Sequence, residues 1–492
     1  MTLRQQALDE AASVLERCGG HLIDGDWSTD ARSIDITEPA QGVRIGAIAG
    51  GGVEEVDRAV AAARRAFETG PWRTMAPGER TRILWRAGDM IEARADAIAR
   101  LETLDVGMPH AKAMGLVCGT AEMFRYSAGW CTKLHGDAAD MVMPTGIFHS
   151  YTRREPAGVA ALITPWNTPF ALAGNKSATA LSAGCTVVLK PAEDTPLSAM
   201  ALAEVLREAG VPPGVFNLVN GRGDVVGAAL ASHADVDKVG FTGSTAVGKR
   251  IVQAALGNMK RVTLELGGKS PVVVFDDADI ARHAATIANG VFSNSGQMCV
   301  AGSRVFVHRS RHDELVAALA AYARGLKIGD GFAAETQIGP LISDRQLRRV
   351  EELVAAGVAE GAQAIAGGIR LDQPGFYFTP TVLTAPKPGA RILREEIFGP
   401  VVNVIPFEDE EEVVAAANDT DYGLAAAVYT GSAQRGHRLA RRLRAGTVWI
   451  NTQLVMNPIM PFGGFRQSGW GREFGLAGVD AYTELKTVIT PA

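Results

Sequence analysis

Apolar and polar positions follow two rhythms along this chain. From about residue 53 to residue 102 apolar residues recur at helical spacing, as in Ile83-Leu84-Trp85-Arg86-Ala87-Gly88-Asp89-Met90-Ile91, and Ala, Arg and Glu are abundant. That stretch predicts mostly helix. Residues 1–20, which carry Asp9 and Glu10, predict another. From 156 to 260 short apolar runs alternate with helical ones. Val159–Thr164, Thr186–Lys190, Val215–Val219 and Lys238–Thr242 predict strands. Ala171–Ser182, Leu197–Glu208, Asp224–Ala231 and Thr245–Gly257 predict the helices between and after them. Repeated strand–helix units of this length imply a parallel sheet with helices on its faces. The rhythm resumes after Glu265, with strands at Pro271–Phe275 and Arg304–His308 and helices at Asp279–Phe292 and Asp313–Leu326. The end differs: Thr483–Thr490 (TELKTVIT) reads as an edge strand in need of a partner. There is no fixed short repeat and no low-complexity linker.

Length and composition narrow the class. At 492 residues the chain exceeds one simple core, so two or three domains are expected. Hydrophobic residues at 47% and charged residues at 21% are ordinary for a soluble globular protein. A net charge of −5 without long runs of one sign speaks against nucleic acid or an anionic membrane as partner. The first twenty residues lack the apolar segment of a signal peptide. Pro156–Asn175 is uncharged and long enough to span a bilayer, but Pro165, Asn167 and Pro169 break it into short pieces. The cysteines are Cys18, Cys118, Cys131, Cys185 and Cys299, an odd number with no CxxC pair. That fits a reducing, cytoplasmic setting. The nine histidines lack metal-site spacing; His308 and His312 flank loop residues, and no metal site is expected.

Several short constellations carry candidate chemistry, each with a plainer alternative. Lys190-Pro191-Ala192-Glu193 follows a strand, where parallel sheets bind ligands; it suits ribose hydroxyls or a surface ion pair. Gly243-Ser244 ends a strand and opens a helix whose free N–H groups suit a pyrophosphate, although Ser244 is equally a helix cap. Gly243 to Lys249 spells seven positions of a Walker A loop, but Arg250 stands where Mg²⁺ needs Ser or Thr, and the strict GxGxxG is missing. Asn167, between Pro165 and Pro169, sits in a rigid turn as an oxyanion donor or a local Asx-turn. Cys299 lies in Gly296-Gln297-Met298-Cys299-Val300-Ala301-Gly302, where small and polar neighbours suit an accessible nucleophile better than an inert core thiol. Glu265, in Leu264-Glu265-Leu266-Gly267-Gly268, has apolar flanks that favour partial burial and a raised pKa, as a water-activating base needs. Glu396 and Phe398, in Glu395-Glu396-Ile397-Phe398-Gly399-Pro400, suit a ribose and a flat ring, or simply a helix end before a turn.

The order of these pieces is more specific than any one of them. PWN, KPAE, GFTGS, LELGGKSP, GQMCVAGSR, EEIFGPV and MPFGGFRQSGWGRE follow one another from about residue 20 to the C-terminus. This series resembles the aldehyde dehydrogenase superfamily. The resemblance implies an α/β fold: two doubly wound parallel-sheet domains, a Rossmann-like cofactor domain and a catalytic domain, with a small β extension used in oligomers. It places the cofactor domain at 1–125 and 152–263, the catalytic domain at 264–465, and bridging segments at 126–151 and 466–492. It implies Cys299 as nucleophile, Glu265 as general base, and Asn167 with the Cys299 N–H as oxyanion hole. Lys176 and Glu473 match a proton relay. Lys190 and Glu193 match the adenosine ribose site, Gly223 the adenine, Gly243 and Ser244 the pyrophosphate, and Glu396 with Phe398 the nicotinamide riboside. Ile163, Thr164 and Trp166 line the cofactor cleft.

The implied activity is NAD(P)-dependent oxidation of an aldehyde to its acid through a thiohemiacetal and a thioester, in a homodimer or homotetramer. NAD is expected over NADP because Glu193 repels a 2′-phosphate, while Lys190 keeps NADP possible. CoA-acylating relatives generally lack the base that Glu265 supplies, and a non-enzymatic relative is expected to lose Cys299 or Glu265. Thr168 replaces an aromatic found in some members, and Met298 precedes the nucleophile. By offset from the matched motifs, Leu172, Asn175, Met456 and Met460 line the substrate tunnel. That tunnel reads as largely apolar, and no Arg stands in it, which speaks against a dicarboxylic semialdehyde.

Overall fold

The computed structural model describes residues 1–28 and 32–492. Strands Val159–Ile163, Thr186–Lys190 and Lys238–Thr242 are buried at every position. Their near-continuous apolar runs are what a parallel sheet covered on both faces requires. They form the centre of an eight-stranded sheet. Arg261–Glu265 and Phe216–Leu218 extend it in parallel, and Gly469–Trp470 and the Asp26–Ser28 hairpin strand close its two edges. Side chains alternate between faces. Ala160, Leu162, Val187 and Leu189 share a core with helices Pro169–Ala183 and Leu197–Ala209. Ala161, Val188, Val239 and Phe241 pack with Val56, Ala59 and Val60 of helix Val53–Glu68 on the other side. The sheet is therefore wound on both faces.

Register sets the position of the candidate chemistry. Thr242 pairs with Glu265, Phe241 with Ile163, and Ile163 with Lys190. Four neighbouring strands thus end in one row, with Glu265, Thr242, Ile163 and Lys190 along the carboxyl edge, where α/β sheets take their ligands.

A second sheet of seven strands contains Pro271–Val274, Arg304–His308, Val401–Phe407, Ala425–Tyr429 and Thr447–Ile450, all in parallel. Only its outer pair, Gln363–Ala366 with Thr381–Thr384, is antiparallel. Two doubly wound α/β units are the observed architecture, as the sequence pattern predicts. Strand Thr483–Pro491 does find a partner: it pairs antiparallel with Gly146–Pro156 along its full length, and Ala138–Met143 completes this third sheet. Val142, Ile147, Leu485 and Ile489 leave apolar side chains exposed on it.

Most element boundaries follow the sequence pattern, and the differences have local causes. The helix expected from Ala171 begins at Pro169, because proline at the first helical position needs no N–H partner. The helix expected over Asp224–Ala231 opens as a wide π-type turn over Gly223–Gly227 and turns α-helical only at Ala228–Ser232. Two glycines and the adjacent Val225 and Val226 weaken a tight first turn. The helix from Thr245 ends at Ala255, short of Gly257. No helix among the described residues is long and apolar enough to cross a membrane.

Leu189 is fully buried at the middle of the first sheet. Leu189→Ala is expected to cost about 2–5 kcal/mol and to lower the thermal unfolding midpoint measurably by calorimetry.

Candidate active site

Glu265 ends its strand at the carboxyl edge and is 4% exposed. Among the described residues neither of its oxygens has a hydrogen-bond partner. Burial first, then the nearby Glu473, pushes its carboxyl well above the usual range, while Lys176 and Arg472 oppose the shift. Such a group holds its proton more readily than an ordinary carboxylate, and once ionised it is the stronger base. The Lys176 ammonium, itself buried, forms an ion pair with Glu473. The three groups form one cluster.

The Gly267-Gly268 turn follows Glu265 and passes against Cys299. A Cβ on Gly268 would stand 2.4 Å from the Cys299 carbonyl oxygen, so the two backbones touch there. The Gly268 N–H donates to Glu396 Oε1 at 3.0 Å. Cys299 is half-buried and free. Burial, reinforced by the negative fields of Glu396 and Glu265, pushes its thiol up to about 12. The thiol is therefore protonated at rest and needs a base or an added positive charge to ionise. Cys299, Glu265 and Glu396 thus share one neighbourhood.

The turn that presents Cys299 is strained. Asn294 and Ser295 have φ of 56° and 55°, and Gly296 has 72°. Non-glycine residues in the left-handed region cost about 1–3 kcal/mol each. Contacts hold them there: Asn294 Nδ2 donates to the Asn167 carbonyl at 2.9 Å, and Asn167 Nδ2 donates to the Gln297 carbonyl at 2.9 Å. Two asparagines thus lock the Pro165–Pro169 turn to the Cys299 turn. Asn294 was not among the candidate residues; its signal is Asn in a Ser-Asn-Ser-Gly run, a composition that tolerates left-handed backbone.

The remaining candidates lie along the same carboxyl edge. Lys190, 2% exposed, donates to the Pro191 carbonyl at 2.6 Å and to Glu193 Oε2 at 3.1 Å. Burial lowers its amine, and Glu193 opposes that. For Glu193, burial works upward, but Lys190 and the Gly223 N–H overcome it and leave the carboxylate lowered. Its Oε1 accepts from that Gly223 N–H at 3.2 Å, so Lys190, Glu193 and Gly223 are one group. Ser244 caps the helix at Thr245, accepting from Val247 N at 3.3 Å, and is exposed; the Gly243 N–H donates to the Glu265 carbonyl at 3.1 Å. Phe398 holds a left-handed φ of 55°, and its ring meets Trp166 edge-on at 5.2 Å. Ile163 and Thr164 are buried at the end of their strand, and Thr164 Oγ1 has no partner among the described residues. Val225 and Val247, about 40% and 41% exposed, present apolar side chains beside Gly223 and Ser244.

This edge fits a dinucleotide. An exposed helix start suits a pyrophosphate. Paired Lys and Glu suit ribose hydroxyls, exposed valines suit a flat base, and Thr164 offers an unspent hydroxyl. Among the described residues no group of three or more His, Cys, Asp or Glu is placed to hold a metal.

Comparison with known proteins agrees with this geometry. Residues 27–488 match the model of the aldehyde dehydrogenase family. Aldehyde dehydrogenase 1 of Tanacetum cinerariifolium is 45% identical over 474 residues, 96% of this chain and 94% of that one. Human retinal dehydrogenase 2 is 43% identical over 473 residues, 95% of this chain and 90% of that one. The structure of the NAD⁺ complex of a Bacillus cereus aldehyde dehydrogenase superposes with a TM-score of 0.95 at 43% identity, covering 98% of each chain.

The raised Glu265 carboxyl has a stability consequence. Its folded-state pKa lies above that of the unfolded chain, near 4.3. The contribution is full below that value and is lost as pH rises through the folded value. Glu265→Gln is therefore expected to gain thermal stability relative to the parent between about pH 5 and pH 8, and none at pH 4. Paired melting curves across that range check it.

Proposed function

The chain belongs to the aldehyde dehydrogenase family, and we propose that Cys299 and Glu265 are its nucleophile and base in NAD-dependent oxidation of an aldehyde to the acid. The protein is an oxidoreductase acting on aldehydes. The observation that carries the residue assignment is Glu265: a buried carboxyl with both oxygens unpartnered among the described residues, beside the turn that bears a cysteine.

The Cys299 sulfur adds to the carbonyl carbon and its proton leaves to a neighbouring base, forming a thiohemiacetal. The oxyanion accepts from the Cys299 N–H and from Asn167 Nδ2. One Nδ2 hydrogen is spent on Gln297, which fixes the amide plane and leaves the other for the substrate. A donor of this kind contributes about 3 kcal/mol to the transition state. Bound NAD supplies the hydride acceptor and a positive ring. Lys190 and Glu193 hold the adenosine ribose, Gly223 and the exposed valines flank the adenine, and Gly243 and Ser244 take the pyrophosphate. Glu396 and Phe398 orient the nicotinamide riboside, and Ile163, Thr164 and Trp166 line its cleft. Loss of hydride leaves a thioester on Cys299. Glu265 then takes a proton from water, the resulting hydroxide attacks the thioester carbon, and the acid departs as the thiol is restored. Glu473 and Lys176 carry the proton onward.

In this reading residues 1–125 and 152–263 bind cofactor, 264–465 carry the chemistry, and 126–151 with 466–492 join subunits of a homodimer or homotetramer. The exposed apolar residues of the third sheet support the last assignment. Five free cysteines support a cytoplasmic setting.

Cys299→Ala is expected to abolish NADH formation while NAD still binds. Glu265→Gln is expected to give a burst of about one NADH per site followed by a rate lowered 100-fold or more, as loss of a general base predicts. An unchanged steady rate in Glu265→Gln removes the base assignment. With NADP, kcat/KM is expected at least 10-fold below that with NAD, and Glu193→Gln is expected to narrow the gap, since Glu193 repels a 2′-phosphate.

A further inference from the structure

Helix His110–Ala128 starts without a side-chain cap and without an acid in its first turn. It carries Lys112 there instead, a cation at the positive end of the helix, where it opposes the macrodipole. The Lys112 ammonium reaches out of the helix to donate to Ser293 Oγ. Ser293 opens the strained turn that leads to Cys299, and its neighbour Asn294 holds Asn167. Lys112 is half-buried, and among the described residues that hydroxyl is the only hydrogen-bond partner of its ammonium. Burial alone pushes its amine down to about 8, with no carboxylate close enough to oppose the shift. It is still mainly protonated at neutral pH. An ammonium has three donors, so two are unspent. A partly desolvated cation with no counter-ion beside it is favourably placed to take an anionic group.

The surroundings are open. Gly115 and Gly119 follow Lys112 by three and seven residues, on the same flank of the helix. Both are exposed, and a Cβ on either would meet nothing within 4 Å. Glycine inside a helix is disfavoured relative to alanine, and no neighbour here forces it. This helix packs through Thr120 and Phe124 on Gly174 of Pro169–Ala183, the helix that begins beside Asn167. The open flank with its cation therefore belongs to a helix packed against the one that begins beside Asn167. Through Ser293 and Asn294 the ammonium lies on the order of 10 Å from the Asn167 turn, a few residue lengths.

We propose that Lys112 is a specificity-determining residue that receives a carboxylate at the far end of the substrate, so that the preferred aldehydes are oxo acids. This rests on the assignment of Cys299 and Glu265 above, and it replaces the expectation that a largely apolar tunnel without Arg disfavours a dicarboxylic semialdehyde: the cation comes from a helix that the motif offsets do not reach. Matched pairs test it: 4-oxobutanoate with butanal, 5-oxopentanoate with pentanal, and 6-oxohexanoate with hexanal, each with NAD. For the best-fitting length, kcat/KM of the oxo acid is expected at least 10-fold above that of the alkanal. Lys112→Met is expected to reduce that ratio by about 10- to 100-fold, mainly through KM, the range for a hydrogen bond to a charged group. Lys112→Arg is expected to keep most of the ratio. NAD titration of each variant reports that it is folded. Alkanals preferred at every length by the parent protein, or a ratio unchanged in Lys112→Met, overturns the proposal. If no aldehyde of either kind is oxidised, the Cys299 and Glu265 assignment fails first, and this one with it.

Discussion

A Cβ on Gly268 would stand 2.4 Å from the carbonyl oxygen of Cys299, and one on Gly296 would stand 2.0 Å from that of Gly399. At both points two backbones meet with no room for a side chain. The first contact brings the Glu265 strand of one sheet against the cysteine turn of the other unit. The second brings the Glu396–Pro400 segment against the same turn. Because only glycine permits such approach, these contacts convert three distant segments into one site. Small residues here are what allow the Glu265 carboxyl, the Cys299 thiol and the Glu396 carboxyl to share a neighbourhood.

That closeness has an electrostatic consequence. Burial pushes Glu265 well up, Glu396 to about 7 and Cys299 to about 12, and each carboxylate reinforces the cysteine shift. At rest the site favours neutral forms. On the proposed assignment charge enters with the ligands: a cationic nicotinamide ring would lower the cost of a thiolate, and an oxyanion would find the Asn167 amide already oriented by Gln297. The site is poised to be switched on by what it binds, and unwanted thiolate chemistry is suppressed without it. Lys112 belongs to the same logic, since a partly desolvated cation is relieved by an anionic substrate end.

Much of this was legible along the chain. Continuous apolar runs located the strands that end in Thr242, Ile163 and Lys190, because burial on both faces forces such runs at strand length; the strand Arg261–Glu265, whose first residues are polar or only partly buried, is not among those predicted. Misreadings fell where local composition competes with pattern, as at Gly223–Gly227, whose glycines widen the turn. Asn294 escaped notice because its role is to hold Asn167, a partner 127 residues away. Lys112 escaped for the same reason, its partner being 181 residues away. No spacing rule links residues whose only relation is contact in space.

The chain by itself therefore determined the strand–helix alternation, the residue types able to do covalent chemistry, and their order. These depend on short-range properties: periodicity, turn chemistry, and the presence of a sulfur, a carboxyl and amides. Tertiary structure alone decided which of them meet, which are desolvated, and which cation is held by a neutral hydroxyl in place of a carboxylate. Desolvation and pairing are set by groups far apart in sequence, and they exist only once the sheets have closed on one another.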